Sequence, residues 1–288
     1  MLRPSRRIAL GALAAAMLQS GARNASANDT KPISFGLNPL FLDSDIELLS
    51  MIEHYLSGQL GRPVQLVRRR TYQEITALLL SGQLDAAWIC DDPYVQHEDQ
   101  LELLATPLYQ GEPLYQTYIA ANENVRAESF DDLRGTVHAF SDPDSTSGYL
   151  VTRYLLAVQH LAPAFFFRDF FFAYGHRNVV RAVASGLAGS GSIDGYVWDV
   201  MKEREPELIA KTRVVYRSER LGFPPIVCLK SLRATETADG VAKAFLNMRS
   251  DALGEKILSN LKLDGFISST PDLYSATLDK WLFVKAQA

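Results

Sequence analysis

The stretch Ser141-Asp142-Pro143-Asp144-Ser145-Thr146-Ser147-Gly148-Tyr149-Leu150 concentrates hydroxyls where a helix can begin. Pro143 and the polar residues around it oppose helix formation until about Ser147. The free N–H groups and the positive dipole end of the helix that follows form an anion site. Ser145, Thr146 and Ser147 add hydroxyl donors, and Gly148 permits close approach. A plain N-cap uses the same residue types. The position of this loop, after a strand and facing a cleft, favours the anion site.

Other residue types suggest other chemistry. Ser147, His176 and Asp194 supply the residue types of a nucleophilic triad, but the chain has no G-x-S-x-G elbow. It also lacks a Walker loop, an HExxH helix and a dinucleotide fingerprint. The expectation is a protein that is not an enzyme and carries no cofactor. Cys90 and Cys228 are the two cysteines, without a C-x-x-C or a zinc-like Cys/His cluster, so no metal site is expected. Cys90 is a small buried residue, a disulfide partner of Cys228 in an oxidising compartment, or a ligand-contacting thiol.

The elements that must position these residues follow from periodicity. Residues 32–38 read as a strand ending in a turn at Asn38. Residues 43–60 read as an amphipathic helix, with Ile46, Leu49, Ile52, Leu56 and Leu60 at helical spacing. Val64–Val67 is a strand, Tyr72–Leu80 a helix, and Ala86–Ile89 a short apolar strand followed by a Cys90–Tyr94 loop. This β-α-β-α-β order calls for a parallel sheet, whose ligands bind outside the carboxyl ends of the strands. Asn38 and Cys90–Tyr94 fall there. Pro113–Ala121 reads as an extended crossing into a second α/β run. That run has a strand at 136–140, helices at 149–159 and 179–188, and a strand at 193–197. The Phe165–Phe172 aromatic run reads as a buried strand or turn. Gly222–Val227 is a second crossing, and the remainder is mainly helical. The fold class is therefore α/β, with two lobes and two hinge crossings. Residues 28–118 with 225–288 form the first lobe and 119–224 the second, an arrangement that traps ligand by hinge closure.

The N-terminus reads as a signal peptide: Arg3, Arg6 and Arg7, an apolar stretch from Ile8 to Leu18, and Ala25-Ser26-Ala27 before a cleavage site. Export by the general pathway is expected, with a weaker likeness to a twin-arginine signal in Ser5-Arg6-Arg7. Removing residues 1–27 removes four Arg and leaves 25 basic against 33 acidic residues, a net charge of −8. Arg68-Arg69-Arg70 is the basic block that survives, read as the solvent end of an edge strand. A nucleic-acid or anionic-membrane partner is disfavoured. No apolar run in the body reaches the ~20 residues that cross a bilayer.

The Ser145–Gly148 loop resembles the ligand loop of the phosphate/phosphite/phosphonate ABC-transporter substrate-binding proteins. The likeness extends through Phe35-Gly36-Leu37-Asn38-Pro39, Leu84-Asp85-Ala86-Ala87-Trp88, Pro93-Tyr94-Val95, Tyr118, His176 and Gly222-Phe223-Pro224-Pro225. The resemblance implies a type II periplasmic-binding-protein fold, a small oxyanion ligand and a membrane permease as partner. It implies that Ser145, Thr146 and Ser147 clamp the oxyanion and that Tyr94 reaches across from the first lobe. It places His176 near the ligand and has Asp194 accept a ligand hydroxyl or amine. Read without it, His176 is a surface-loop histidine and Asp194 a turn residue; Tyr118 is a hinge packing residue or a pocket wall. The chain departs from the family at Cys90-Asp91-Asp92, where many phosphonate binders carry a Gly-Pro loop. That variation resembles the related periplasmic arsenite sensors, which signal to a membrane histidine kinase. On that alternative Cys90 is the arsenic ligand, and exposed Asp91 and Asp92 do not reject neutral arsenous acid.

Overall fold

A computed structural model describes residues 31–38 and 46–287. The expected signal peptide and cleavage site, Pro39 and the first residues of the expected 43–60 helix lie outside the described residues.

The first half begins β1 (Ile33–Leu37), α1 (Ile46–Leu60), β2 (Val64–Arg68), α2 (Tyr72–Leu80) and β3 (Ala86–Trp88). Local chemistry sets these boundaries. Thr71 caps α2 in a reciprocal box: its Oγ1 accepts the Glu74 N–H at 3.2 Å, and Glu74 Oε2 accepts the Thr71 N–H at 3.0 Å. The expected Cys90–Tyr94 loop is instead the start of a helix, α3 (Asp91–Gln96), with Cys90 at the N-cap position. Pro93 does not prevent this, because the first turn has N–H groups to spare, and Asp91 and Asp92 suit the positive end of the helix.

The chain then forms β4 (Leu101–Leu108), β5 (Leu114–Tyr115) and β6 (Thr117–Asn122), so the first crossing is two short strands. β7 (Val137–Phe140), α4 (Val151–Val158), α5 (Pro163–Phe166), β8 (Asp169–Phe172), α6 (His176–Ala184) and β9 (Ser190–Asp194) follow. The aromatic run is thus divided: Phe165 stands 79% exposed on α5, and Phe170–Phe172 lie in β8. α7 (Gly195–Arg204) begins inside the expected 193–197 strand because the Asp194 carboxylate caps it. The remainder is α8 (Pro206–Ile209), β10 (Thr212–Arg217), β11 (Leu221–Gly222), β12 (Ile226–Leu229), α9 (Glu236–Leu246), α10 (Ala252–Leu261), β13 (Gly265–Ile267) and α11 (Ser275–Ala286).

These strands form two main sheets. One has the order β13-β4-β12-β3-β1-β2, the other β10-β6-β9-β7-β8. β1 runs parallel to β2 and β3, and β7 parallel to β8 and β9. β5 and β11 pair antiparallel as a separate ribbon, Tyr115 opposite Leu221 and Leu114 opposite Gly222. The α/β reading holds, and both parallel runs point their carboxyl ends at the residues singled out above.

Candidate functional site

In the second sheet, β7 delivers the chain to Ser141. A π-helical turn over Thr146–Leu150 then leads into α4. Ser145 caps the turn, its Oγ accepting the Gly148 N–H at 3.0 Å. Thr146, Ser147 and Gly148 are buried in the turn. Gly148 is required by Ser141, just past β7: a Cβ there would stand 1.7 Å from Ser141 Oγ.

Cys90, at the end of the first sheet's β3, meets this turn. Its sulfur accepts the Thr146 N–H at 3.4 Å, and its S–H faces Asp91 Oδ1 at 3.4 Å and Thr146 Oγ1 at 3.7 Å. Burial and then the Asp91 charge push the thiol pKa well up, so it is a protonated hydrogen-bonding group. Asp91 and Asp92 are buried rather than exposed. Asp91 accepts from Tyr115 Oη at 2.9 Å and Thr277 Oγ1 at 2.8 Å. Burial raises its pKa against those donors. Burial lifts Asp92 to about 7. The Cys90–Cys228 disulfide does not form; both thiols are free and buried. Val227 is opposite Ala87, and the Ile89 N–H bonds to Pro225 O, so the two cysteines are offset by about four residues. At ~3.3 Å per residue that is about 13 Å, well past the ~7 Å reach of a disulfide.

His176 is buried at the first position of α6, not in a surface loop. Its Nδ1 accepts the Asp194 backbone N–H at 3.0 Å. Burial lowers its pKa to about 3, so the ring is neutral with its proton on Nε2. Nε2 lies 3.3 Å from the hydroxyl of Tyr72, to which it donates. This geometry is not a triad, since the histidine contacts the Asp194 backbone while the carboxylate caps α7. Asp194 Oδ1 accepts the N–H groups of Tyr196 at 2.8 Å and Val197 at 3.3 Å. Burial pushes Asp194 up to about 8, against those two N–H bonds. It is therefore largely a neutral acid at pH 7.

Among the described residues, Asp194 Oδ2, Ser141 Oγ, Thr117 Oγ1 and the Asn38 amide find no hydrogen-bond partner, although all are buried. Thr117 stands opposite Asp194 in the sheet, and the Asn38 N–H bonds to Trp88 O. These groups lie where the two parallel runs end, and Ser141, Asp194 and Thr117 lie beside the Ser145–Gly148 turn. Unpartnered buried polar atoms are costly, and a polar ligand would satisfy them.

Tyr94 belongs elsewhere. It packs edge-on against Tyr274 at 4.9 Å, in an apolar cluster with Ile75 and Leu79. A phenol that does cross to the second half at this turn is Tyr72, whose N–H also donates to Asp142 Oδ2 at 3.2 Å. Its place at the head of a capped helix after β2 was the available clue. Nothing local marks Tyr115 or Thr277. Tyr118 packs edge-on against Trp198 and donates to Asp199 at 3.2 Å, away from the turn.

Two sheets, with parallel runs facing one buried polar cluster and joined through a short ribbon, define a type II periplasmic binding fold. Residues 35–274 match the family described as "ABC transporter, phosphonate, periplasmic substrate-binding protein", and the chain belongs to that family. The phosphonates-binding periplasmic protein of Escherichia coli K12 is 24% identical over 222 residues, covering 75% of this chain and 65% of that protein, just under two thirds of its length. A binding-protein component of a Pseudomonas aeruginosa ABC phosphonate transporter superposes with TM-score 0.82 at 22% identity, over 90% of this chain and 88% of that one. A Prochlorococcus marinus protein solved with methylphosphonate gives TM-score 0.78 at 18% identity, over 88% and 98%. At these identities the structural likeness shows the fold. The family is one of substrate-binding proteins rather than enzymes.

Proposed function

We propose that this chain captures a small phosphorus oxyanion of the phosphate, phosphite or phosphonate class outside the cytoplasm and presents it to an ABC-transporter permease. Residues 28–118 with 225–288 act as one lobe and 119–224 as the other, hinged where β5 pairs with β11. The leader 1–27 directs export and is removed. The observation that carries this reading is the unpartnered Asp194 Oδ2 beside the Ser145–Gly148 turn. A protonated carboxyl, hydroxyls and helix-start N–H groups together suit an oxyanion. Ser145, Thr146, Ser147, Gly148, His176 and Asp194 serve from one lobe, and Asn38 and Cys90 from the other. No step of catalysis is assigned to them.

A second reading, arsenite bound through Cys90 and reported to a sensor kinase, is favoured by one contact: the sulfur stands at the Thr146 N–H. A thermal-shift panel of methylphosphonate, phosphite, phosphate and arsenite, on the parent and on Cys90→Ser, separates the two. A ligand at 100 times its Kd adds about 2.7 kcal/mol. A phosphorus ligand should stabilise both proteins. Stabilisation by arsenite alone, lost in Cys90→Ser, favours the sensor instead.

A further inference from the structure

We infer that Arg70 and Tyr174 form a clasp across the mouth of the cleft that holds the closed form and slows ligand release. This rests on the reading of two-lobed capture. Arg70 follows β2 of the first sheet, and Tyr174 follows β8 of the second. The guanidinium carbon lies 5.1 Å from the centroid of the Tyr174 ring, within the reach of a cation–π contact.

The pair sits in register with a second crossing. Tyr72, two residues after Arg70, meets His176, two residues after Tyr174. The inner pair is buried; in the outer pair Arg70 is exposed and Tyr174 half-buried. The backbone is shaped for this alternation. Tyr174 has φ 51° and Gly175 φ 134°. The left-handed region is unfavourable for a residue with a Cβ. Here it lets the chain carry the Tyr174 ring to the rim while His176 enters the interior two residues later. Phe172, with its ring centroid 6.5 Å away, supports the Tyr174 ring from its own strand. The contact suits arginine, whose flat, weakly hydrated guanidinium stacks on a ring better than an ammonium. The basic triplet therefore does more than end an edge strand: its last member reaches the opposite sheet's loop.

The test measures methylphosphonate release by stopped flow and the ligand-free protein by small-angle scattering. Arg70→Met and Tyr174→Leu should each speed release roughly two- to fivefold, the span expected of an exposed cation–π contact. The double variant should release no faster than either single one. Tyr174→Phe, which keeps the ring, should resemble the parent, and Arg70→Lys should recover part of the loss. Ligand-free Arg70→Met should be more extended than the parent. Normal release from Arg70→Met overturns the clasp. If the parent fails to bind methylphosphonate, the phosphonate reading falls and scattering judges the clasp alone: identical curves for parent and Arg70→Met overturn it.

Discussion

Asp194 shows how burial can convert a carboxylate into a donor. Its ordinary pKa of 3.8 rises to about 8, while two N–H groups hold one oxygen and leave the other for a ligand. Because the folded value is raised, the protonated form contributes stability fully below about pH 4. That contribution falls as pH climbs and is gone above about 8. Binding that uses the Oδ2 proton should follow the same sign. Methylphosphonate affinity of the parent should fall above pH 8, by up to about tenfold per pH unit. Asp194→Asn keeps a cap and a neutral donor, so its decline should be shallower. The ligand's own ionisation is common to both proteins. Parallel calorimetric profiles would show that the Asp194 proton plays no part in binding.

At the scale of elements, the site depends on how two helix starts are built. The π-helical turn is tight because Gly148 lies against Ser141, whose N–H also bonds to Gly148 O at 3.2 Å. Gly148→Ala would put a Cβ 1.7 Å from Ser141 Oγ and 2.6 Å from Ser141 Cβ. Overpacking of this kind costs about 1–3 kcal/mol. Chemical denaturation should show that loss, and adding Ser141→Ala should recover part of it by removing the oxygen. A Gly148→Ala protein as stable as the parent would mean that the turn has slack. The turn and its strand were legible in sequence because hydroxyls, Pro143 and Gly148 act locally. α3 was not, because Asp91, Asp92 and Pro93 suit a loop as well as the first turn of a helix. β4 also left no local mark: it pairs with β12 and β13, far along the chain. Tyr115 and Thr277 have no local mark for the same reason, since only tertiary contacts bring them to Asp91. Tyr94 shows the converse, a residue placed by resemblance whose ring the apolar cluster under α3 retains.

At the scale of the whole molecule, the parallel runs of two sheets converge on one polar cluster. Links between the two halves repeat around it. Cys90 meets Thr146, Tyr72 meets Asp142 and His176, and on another flank Tyr196 Oη donates to Leu261 O. Residues 72–90 and 142–176 thus meet at one cluster, as the proposed hinge closure on a ligand would need. The two-sheet α/β plan was legible early because alternating strands and helices leave few topologies. The chemical identity of the ligand was not, since it depends on a handful of side chains rather than on the fold. The central claim is that a phosphorus oxyanion occupies this cluster. A crystal structure of the protein with methylphosphonate tests it most directly. Phosphonate oxygens should lie within hydrogen-bonding distance of the Thr146 N–H and of Asp194 Oδ2, with Cys90 Sγ displaced from that N–H. Methylphosphonate bound elsewhere, or a saturated crystal in which Cys90 still holds the Thr146 N–H, would contradict it.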